Sequence, residues 1–268
     1  MPLTSASCAP ASTAGSSAPD PAIARTAHPE RLCAIHQPNL FPRLSTLAKL
    51  YAADVWVVLD DVQFARRDYQ HRTCLAALDD PARRQWLSLA THLPQGRSTV
   101  IRDARLADPA GCGRRTAGMI RQYYGRSRHW PSIQEIVEPV LDRFTTTDRL
   151  ADITETSTRS MLKALGWQGT ILHSSTLAVR AGRSNRLADL ALATGSTAYL
   201  CGTGGMRYLD PVPFEEHAVE VVPFHSPVDT GMPLWDSARK VGALWAVAGF
   251  EPDGLADALR SQQASALS

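Results

Sequence analysis

The sequence predicts an α/β fold in which a mainly parallel sheet is flanked by helices and carries a helical insertion. Residues 32–35 and 55–59 are short apolar runs with the length and composition of buried strands. Residues 44–51 lie between them with helical spacing, and a helix that joins two buried strands indicates a parallel βαβ unit. Strand and helix patterns alternate again from residue 169 onward, after a helical block at about 108–166. We therefore expect a Rossmann-like sheet.

The later elements follow from the same patterns. Apolar residues at helical spacing predict three helices inside the central block, at about residues 114–124, 133–144 and 150–165. Runs rich in branched and aromatic residues predict strands at residues 169–173, 198–201 and 219–222. These strands would extend the sheet that the first βαβ unit begins.

Composition separates one domain from two flanking segments. Residues 1–30 are rich in Ala, Ser, Thr and Pro and lack the basic start and apolar core of a secretory signal, so we expect a disordered leader. Residues 31–250 carry the α/β pattern and are expected to form a single domain, with the helical insertion at about 108–166. Residues 251–268 are weakly patterned, which predicts a weakly ordered tail.

Charge and cysteine usage exclude several classes of protein. The net charge of +2 argues against a nucleic-acid binder, and no apolar run approaches the roughly 20 residues of a membrane-inserted helix. The five cysteines are scattered without the spacing of a zinc site or a disulfide framework, which predicts a cytoplasmic protein without a structural metal. Most of the 28 cationic residues are Arg, a bidentate partner for carboxylate and phosphate, so a small anionic substrate is compatible.

Polar residues follow the first two predicted strands directly. Because the carboxyl ends of parallel strands meet at one edge of a sheet, where α/β proteins bind their ligands, we expect these side chains to form a site. A histidine at such a position either takes part in proton transfer or phosphate binding, or satisfies a local hydrogen bond; we favour the functional role. The residues concerned are His36, Gln37, Asn39, Asp60, Asp61 and Gln63.

The paired carboxylates Asp60 and Asp61 are adjacent in the chain. In extended backbone their side chains point to opposite faces of the sheet, so we expect one to face the site and the other to cap a turn. The inward carboxylate could be a general base, could orient His36, or could hold Mg²⁺ against a phosphate. Two Asp residues that simply end a strand in a turn remain an equal alternative.

A glycine-rich segment, Cys201-Gly202-Thr203-Gly204-Gly205, follows another predicted strand. Backbone N–H groups freed by Gly202, Gly204 and Gly205 can hold a phosphate or an oxyanion, although the segment lacks the Lys-Ser/Thr ending of a Walker loop. Cys201 is either a nucleophile, with His36 or His225 as its base, or a small residue packed at a strand end; we favour packing.

Further polar residues flank these segments. Tyr208 and Asp210 follow the glycine segment and would line the same rim, and His225 ends the last predicted strand. Gln70 and Arg72 lie in the polar stretch 66–72, which is either a solvated turn or a loop that closes over an anionic ligand with Arg72 as a bidentate clamp.

These motifs carry a resemblance. HQPN-x-FP at residues 36–42, LDDVQF at 59–64 and Gln70-x-Arg72 together resemble the bacterial WbqC-like family, over about residues 33–249. Members are often encoded with O-antigen, other surface-glycan or natural-product genes, and a glycine or acyl transferase role has been suggested for them. The family usually has Ser-Gly-Pro-Gly-Gly where this chain begins with Cys201. The histidine-bearing loop also resembles HUP-type nucleotidyltransferases, although Asn39 stands where their second histidine would lie.

The resemblance implies a small cytoplasmic transferase that passes an acyl or aminoacyl (glycine-type) group from a phosphate-bearing donor to an amine or hydroxyl acceptor. In this hypothesis His36 and one of Asp60 and Asp61 handle the proton, Arg72 and the glycines hold anionic groups, and Gln37, Asn39 and Gln70 orient the acceptor. One alternative is a nucleotidyltransferase-like or ATP-using ligase. A second is a non-catalytic binding module that recognises a carrier protein. The sequence identifies no cofactor.

Overall fold

The first βαβ unit follows the sequence pattern closely in the computed structural model, which describes residues 31–226 and 233–266. Strand β1 is Leu32–His36, helix α1 is Leu44–Tyr51 and strand β2 is Val55–Val58. β1 and β2 pair in parallel with Cys33 opposite Val55, which confirms the parallel arrangement. The leader expected at residues 1–30 lies outside the described residues.

Two small antiparallel pairs follow this unit. β3 is Arg72–Ala76 and β4 is Arg84–Ser88, while β5 is Thr91–His92 and β6 is Arg105–Leu106. Each pair forms a separate two-stranded sheet. The polar stretch 66–72, which leads into β3, contacts the loop after β1, since Leu40 N donates a hydrogen bond to Tyr69 O at 3.1 Å.

Three helices then form a packed block: α2 is Pro109–Tyr124, α3 is Trp130–Thr146 and α4 is Leu150–Ala164. This block holds the loop that follows β1. Ser157 Oγ accepts a hydrogen bond from Phe41 N at 3.0 Å, and the hydroxyls of Ser157 and Thr158 each donate to Asn39 O at 3.0 Å. The helical block therefore fixes the backbone of the HQPN loop.

The remaining strands complete the sheet. The elements in order are β7 Thr170–His173, α5 Arg183–Ala193, β8 Ala198–Gly202, α6 Thr203–Met206, α7 Val212–Glu216 and β9 Glu220–Phe224. The five strands lie in the order β7-β2-β1-β8-β9, and every neighbouring pair is parallel. Counted along the chain this is the order 3-2-1-4-5 of a Rossmann-like sheet. The order reverses between β1 and β8.

Both faces of the sheet are covered, as buried parallel strands require. Along β1, Leu32 and Ala34 belong to the large core that contains α1 and the helical block, whereas Cys33 and Ile35 belong to a second core that contains α5 and α7. The alternation places the polar ends of the strands at the edge between the two layers. No helix within residues 31–226 and 233–266 has the length and apolarity needed to cross a membrane.

The C-terminal segment contains α8 Pro233–Asp236, α9 Leu244–Gly249 and α10 Pro252–Ala266. The last helix lies in the segment 251–268, for which the sequence predicted weak order. Leu255 and Leu259 are buried in the main core, and Arg260 donates a hydrogen bond to the Tyr51 hydroxyl of α1 at 3.3 Å. Two leucines four residues apart provide a narrow apolar face, and packing against α1 stabilises it.

Candidate functional site

A cavity of about 520 Å³ opens at the carboxyl edge of the sheet, between the ends of β1 and β8 where the strand order reverses. This is the position at which open α/β sheets bind ligands. The end of β1, the first half of α1, the glycine segment and the end of β9 line it. We call it the anion cavity; its lining residues are Ile35, His36, Gln37, Arg43, Ser45, Thr46, Lys49, Leu59, Tyr199, Gly202, Thr203, Gly204, Gly205, Phe224, Ser226 and Arg239.

The charge of this cavity has one sign. Arg43, Lys49 and Arg239 line it, and the described lining includes no carboxylate. Lys49 is only 8% exposed, and its Nζ donates a hydrogen bond to Ile35 O at 3.3 Å. Because burial disfavours the charged ammonium, the pKa of Lys49 falls to about 8. An anion in the cavity would supply the negative charge that the lining lacks.

Arg43 precedes α1 and is held from two sides. Its Nη1 donates to Arg239 O at 3.1 Å, and its guanidinium lies over the Tyr69 ring at 4.2 Å from the centroid. Its Nε is buried and has no hydrogen-bond partner among the described residues. A buried donor left without an acceptor costs about 1–3 kcal/mol, so a ligand oxygen that reached this group would be favoured.

His36 ends β1 and is partly buried in the same cavity. Burial, together with the positive charges of Lys49 and Arg43, holds the pKa of the imidazole well below its ordinary value. The ring is therefore neutral near neutral pH and can accept a proton from a bound molecule. Neutral imidazole is the form that a general base requires, and a bound anion that offsets these positive charges would raise its pKa and strengthen it as a base.

Gln37 and Gln70 act as a pair. The fully buried Gln70 accepts a hydrogen bond from Ala65 N at 2.9 Å and donates from Nε2 to Gln37 Oε1 at 2.7 Å. These contacts fix the orientation of the Gln37 amide, whose Nε2 has no partner among the described residues. Gln37 lines the cavity, whereas Gln70 does not line it and instead positions the Gln37 side chain.

The two carboxylates lie beside the cavity and not in its lining. Asp60 accepts hydrogen bonds from Ser174 Oγ and Ser175 N, both at 3.1 Å, and from Ser175 Oγ at 2.7 Å. Asp61 accepts hydrogen bonds from Ser174 Oγ and the Arg186 guanidinium. Both therefore reach Ser174, against the expectation of opposite faces, because β2 ends at Val58 and the pair lies in the following turn.

Asp61 is held in its ionised form. Burial alone would raise the pKa of its carboxyl, but the hydrogen bonds from Ser174 and Arg186 and the charge of Arg186 keep that pKa below its ordinary value. A carboxylate so paired is a weak proton acceptor. Asp60 and Asp61 thus join the end of β2 to the residues after β7. The side chains that share the anion cavity with His36 are basic, and the two carboxylates are not among them.

The glycine segment lies in the cavity wall, as Gly202, Gly204 and Gly205 all line it. A Cβ atom on Gly205 would lie 2.7 Å from Cys201 Sγ, so the close packing of this turn requires glycine there. Cys201 itself is 1% exposed and is absent from the lining. Burial raises the pKa of its thiol, which keeps it protonated and favours the packing role over the nucleophile.

Three of the predicted polar residues lie outside the lining of the anion cavity. Asn39 is 4% exposed, and its Oδ1 lacks a hydrogen-bond partner among the described residues. The Arg72 guanidinium lies 4.4 Å from the centroid of the Trp86 ring and donates a hydrogen bond to Arg67 O at 2.5 Å, so it stabilises its own loop. Gln63 donates to a loop carbonyl, Arg97 O, at 2.6 Å. None of the three lines the anion cavity.

The residues after the glycine segment also lie outside the cavity lining. Tyr208 is 68% exposed, and the Arg183 guanidinium lies 5.5 Å from its ring centroid. Asp210 accepts a hydrogen bond from Val212 N at 3.2 Å, near the start of α7. His225 is exposed, while the next residue, Ser226, lines the cavity.

Sequence reasoning missed the basic residues that dominate the cavity: Arg43, Lys49 and Arg239. Lys49 did carry a signal, because it is one of only three lysines and sits in an eight-residue helix that is otherwise mostly apolar. A lysine on the buried face of such a helix must either reach a cavity or meet a counter-charge. Among the described residues, no three His, Cys, Asp or Glu side chains are grouped so that they could hold a metal ion.

Comparison with known proteins gives the family. Residues 37–229, well over half of the chain, match the WbqC-like protein family. An uncharacterized protein of Mycobacterium tuberculosis (strain ATCC 25618 / H37Rv), Rv1507c, is 22% identical over 219 residues, which cover 82% of this chain and 88% of that protein. No solved structure matches the chain significantly. The matched range includes Lys49, the two carboxylates and the glycine segment, and the chain belongs to the WbqC-like protein family.

Proposed function

We propose that this protein is a transferase that binds the phosphate-bearing part of an activated donor in the anion cavity and passes an acyl or aminoacyl group to an amine or hydroxyl acceptor. The observation that carries the proposal is the cavity at the reversal of strand order, lined by Arg43, Lys49 and Arg239 and by no described carboxylate. The suggested role of the family, in surface-glycan or natural-product biosynthesis, favours acyl transfer over other reactions of phosphate-bearing donors.

Each group has a role in this reaction. The three cations and the N–H groups of the glycine segment bind the anionic leaving group, as fixed positive charges and backbone donors do in other phosphate sites. Neutral His36 accepts the proton of the acceptor N–H or O–H as that atom bonds to the carbonyl carbon. The bond from the carbonyl carbon to the leaving group breaks, and the leaving group departs with the electron pair. Gln37 binds the acceptor, and Gln70 orients Gln37.

This assignment changes the roles expected from the sequence. Asp60 and Asp61 position the edge of the sheet instead of taking the proton. Both oxygens of Asp60 accept hydrogen bonds from Ser174 and Ser175, and Asp61 Oδ1 accepts from Ser174 and Arg186. The four cysteines within the described residues are unpaired, which is compatible with the cytoplasmic setting of the proposal.

The test begins with pyrophosphate, a probe for the anion cavity, in isothermal titration calorimetry. We expect binding by the wild type and about tenfold weaker binding by Arg239→Gln, since a charge-assisted contact contributes about 1.4 kcal/mol. Arg207→Gln, outside the lining, is the matched control. Acyl phosphates and acyl-coenzyme A are then incubated with amino- and hydroxy-sugars, and mass spectrometry follows the acceptor mass. Absence of pyrophosphate binding, or equal binding by both variants, contradicts the proposal.

Nucleotidyl transfer or ATP-dependent ligation is the second candidate. The position of His36 favours it, because the residue ends the first strand of a 3-2-1-4-5 sheet beside a cavity suited to phosphates. Incubation with ATP or CTP and a panel of carboxylic acids separates the two reactions. Release of pyrophosphate from the nucleotide, without acyl transfer from a preformed donor, would support the ligase and contradict the transferase.

A further inference from the structure

A second cavity, of about 680 Å³, lies on the other side of the β1 end. It is formed by the ends of β1 and β2, the loop that precedes α5 and the first turns of α5. We call it the apolar cavity. Its wall is shared with the anion cavity, because Ile35, Gln37, Leu59 and Tyr199 line both. Two binding spaces therefore meet at the Gln37 amide.

The walls of the two cavities differ in chemistry. Beyond the residues that line both, the anion cavity has hydroxyls, a lysine and several glycines, whereas the apolar cavity has Val62, Ala181 and Leu187. Such a wall favours an apolar or aromatic body, since binding removes apolar surface from water.

The charged residues that line the apolar cavity are three arginines, which differ in their partners. Arg180 is already paired with Asp189 at 2.8 Å and Glu216 at 3.5 Å. Arg183 has no carboxylate partner among the described residues and lies over Tyr208. No carboxylate lines this cavity within the described part of the chain. The arginines thus leave net positive charge at one end of an apolar space.

Arg186 supplies a second, independent observation. One Nη of its guanidinium binds Asp61, while its Nε is buried and has no hydrogen-bond partner among the described residues. Nearly all buried polar groups in folded proteins are hydrogen-bonded, so an orphaned donor on a cavity wall indicates a missing acceptor. The guanidinium fork matches the geometry of a carboxylate as well as that of a phosphate, and the apolar wall of this cavity favours the carboxylate of an apolar molecule.

We infer that the apolar cavity binds a small molecule with an apolar or aromatic body and a terminal carboxylate, which Arg183 and Arg186 hold. The placement of this ligand as the second substrate, with its reactive end at Gln37, rests on the proposed transferase function. The binding itself does not, since it depends only on the wall and the arginines of this cavity.

Octanoate is a suitable probe, with 1-octanol as its uncharged match, titrated into the full chain by protein-observed NMR. We expect octanoate to bind at least about tenfold more tightly than 1-octanol, and Arg186→Gln to remove most of that preference. Because Arg186→Gln also breaks the contact with Asp61, Arg183→Gln provides a variant at an exposed residue, with an expected loss of about threefold. Arg207→Gln, at an exposed arginine outside the lining of this cavity, is the matched control.

Two results would overturn the inference: equal affinity for octanoate and 1-octanol, or a loss of octanoate binding that Lys49→Met reproduces, which would place the probe in the anion cavity. The outcome is separable from that of the proposed function. Failure of pyrophosphate binding with octanoate binding intact contradicts the transferase alone, whereas the reverse pattern contradicts only the second site.

Discussion

The two halves of the carboxyl edge of the sheet both contain charged residues, but the two sets differ in how their hydrogen bonds are satisfied. After β2 and β7, Asp60 and Asp61 accept hydrogen bonds from Ser174 and its neighbours, so the polar groups satisfy one another. Around β1 and β8, Lys49 reaches only a backbone carbonyl and the Arg43 Nε has no partner among the described residues. The carboxylates of the first half are paired within the protein, whereas the cations of the second half face the anion cavity.

This contrast shows which polar residues at a strand end are available to a ligand. A carboxylate that accepts several hydrogen bonds within the protein stabilises the fold, whereas a buried cation without a counter-charge lowers stability unless an anion binds. The two halves should therefore respond in opposite ways to substitution, in stability on one side and in ligand affinity on the other.

The largest expected effect is on stability, at the paired half. Asp60→Ala removes the acceptor of Ser174 Oγ, Ser175 N and Ser175 Oγ at a residue that is 7% exposed. We expect the free energy of unfolding, measured by urea denaturation, to fall by about 3 kcal/mol. The control is Asp79→Ala, which removes a solvent-exposed carboxylate. Normal stability with lost pyrophosphate binding would show that Asp60 belongs to the site.

The next effect is on affinity, at the open half. Lys49→Met removes the buried cation of the anion cavity, and we expect pyrophosphate affinity to fall about thirtyfold, or about 2 kcal/mol. Stability should move the other way: the free energy of unfolding at neutral pH should rise by about 1 kcal/mol, because a buried charge without a partner is costly. Lys163→Met, at an exposed lysine, is the matched control. Unchanged pyrophosphate affinity in Lys49→Met, or a large loss of its stability, would contradict the assignment of Lys49 to ligand binding.

The pH dependence of the free energy of unfolding tests the role of Lys49, whose pKa is lowered from 10.5 to about 8. Between these values the unfolded chain holds a proton that the folded chain has lost, so this residue makes stability rise with pH in that window and costs stability below it. The stability difference between Lys49→Met and the wild type should therefore shrink as the pH rises from 8 toward 10.5. Urea denaturation across this range measures it.

Pyrophosphate affinity should show the opposite trend, because the protonated ammonium binds the anion. We expect the wild type to lose about tenfold in affinity as the pH rises through the pKa of about 8, and Lys49→Met to show no corresponding loss. Calorimetry at several pH values checks this. An affinity that falls equally in both proteins would assign the titration to another group.

The first βαβ unit and the glycine segment could be predicted from the sequence because their signals are local. The apolar runs of β1 and β2, the helical spacing of α1 and the glycines after β8 each lie within a few residues of one another. A parallel sheet then places His36, Gln37 and Gly204 at one edge whatever the details of packing, and all three line one cavity.

The states of Asp60, Asp61 and Lys49 could not be predicted in the same way. The partners of the carboxylates lie 113 to 125 residues away in the chain, at Ser174, Ser175 and Arg186, and their pairing depends on β7 lying beside β2. Arg239 reaches the cavity from beyond β9. A local pattern shows that a residue is polar and at a strand end, but whether its hydrogen bonds are satisfied is a property of the tertiary structure.

The smallest expected effect concerns Arg72, which the sequence suggested as an anion clamp. Its guanidinium is occupied by Trp86 and by the carbonyls of Arg67 and Asp68, and it does not line the anion cavity. Arg72→Gln should therefore change pyrophosphate affinity by less than about twofold, whereas Arg43→Gln, at an arginine that does line the cavity, should weaken it about tenfold. Calorimetry on the two variants compares arginines that both lie over aromatic rings and differ in access to the ligand. A tenfold loss in Arg72→Gln would mean that the polar loop reaches the bound anion and that the open half of the sheet edge extends to β3.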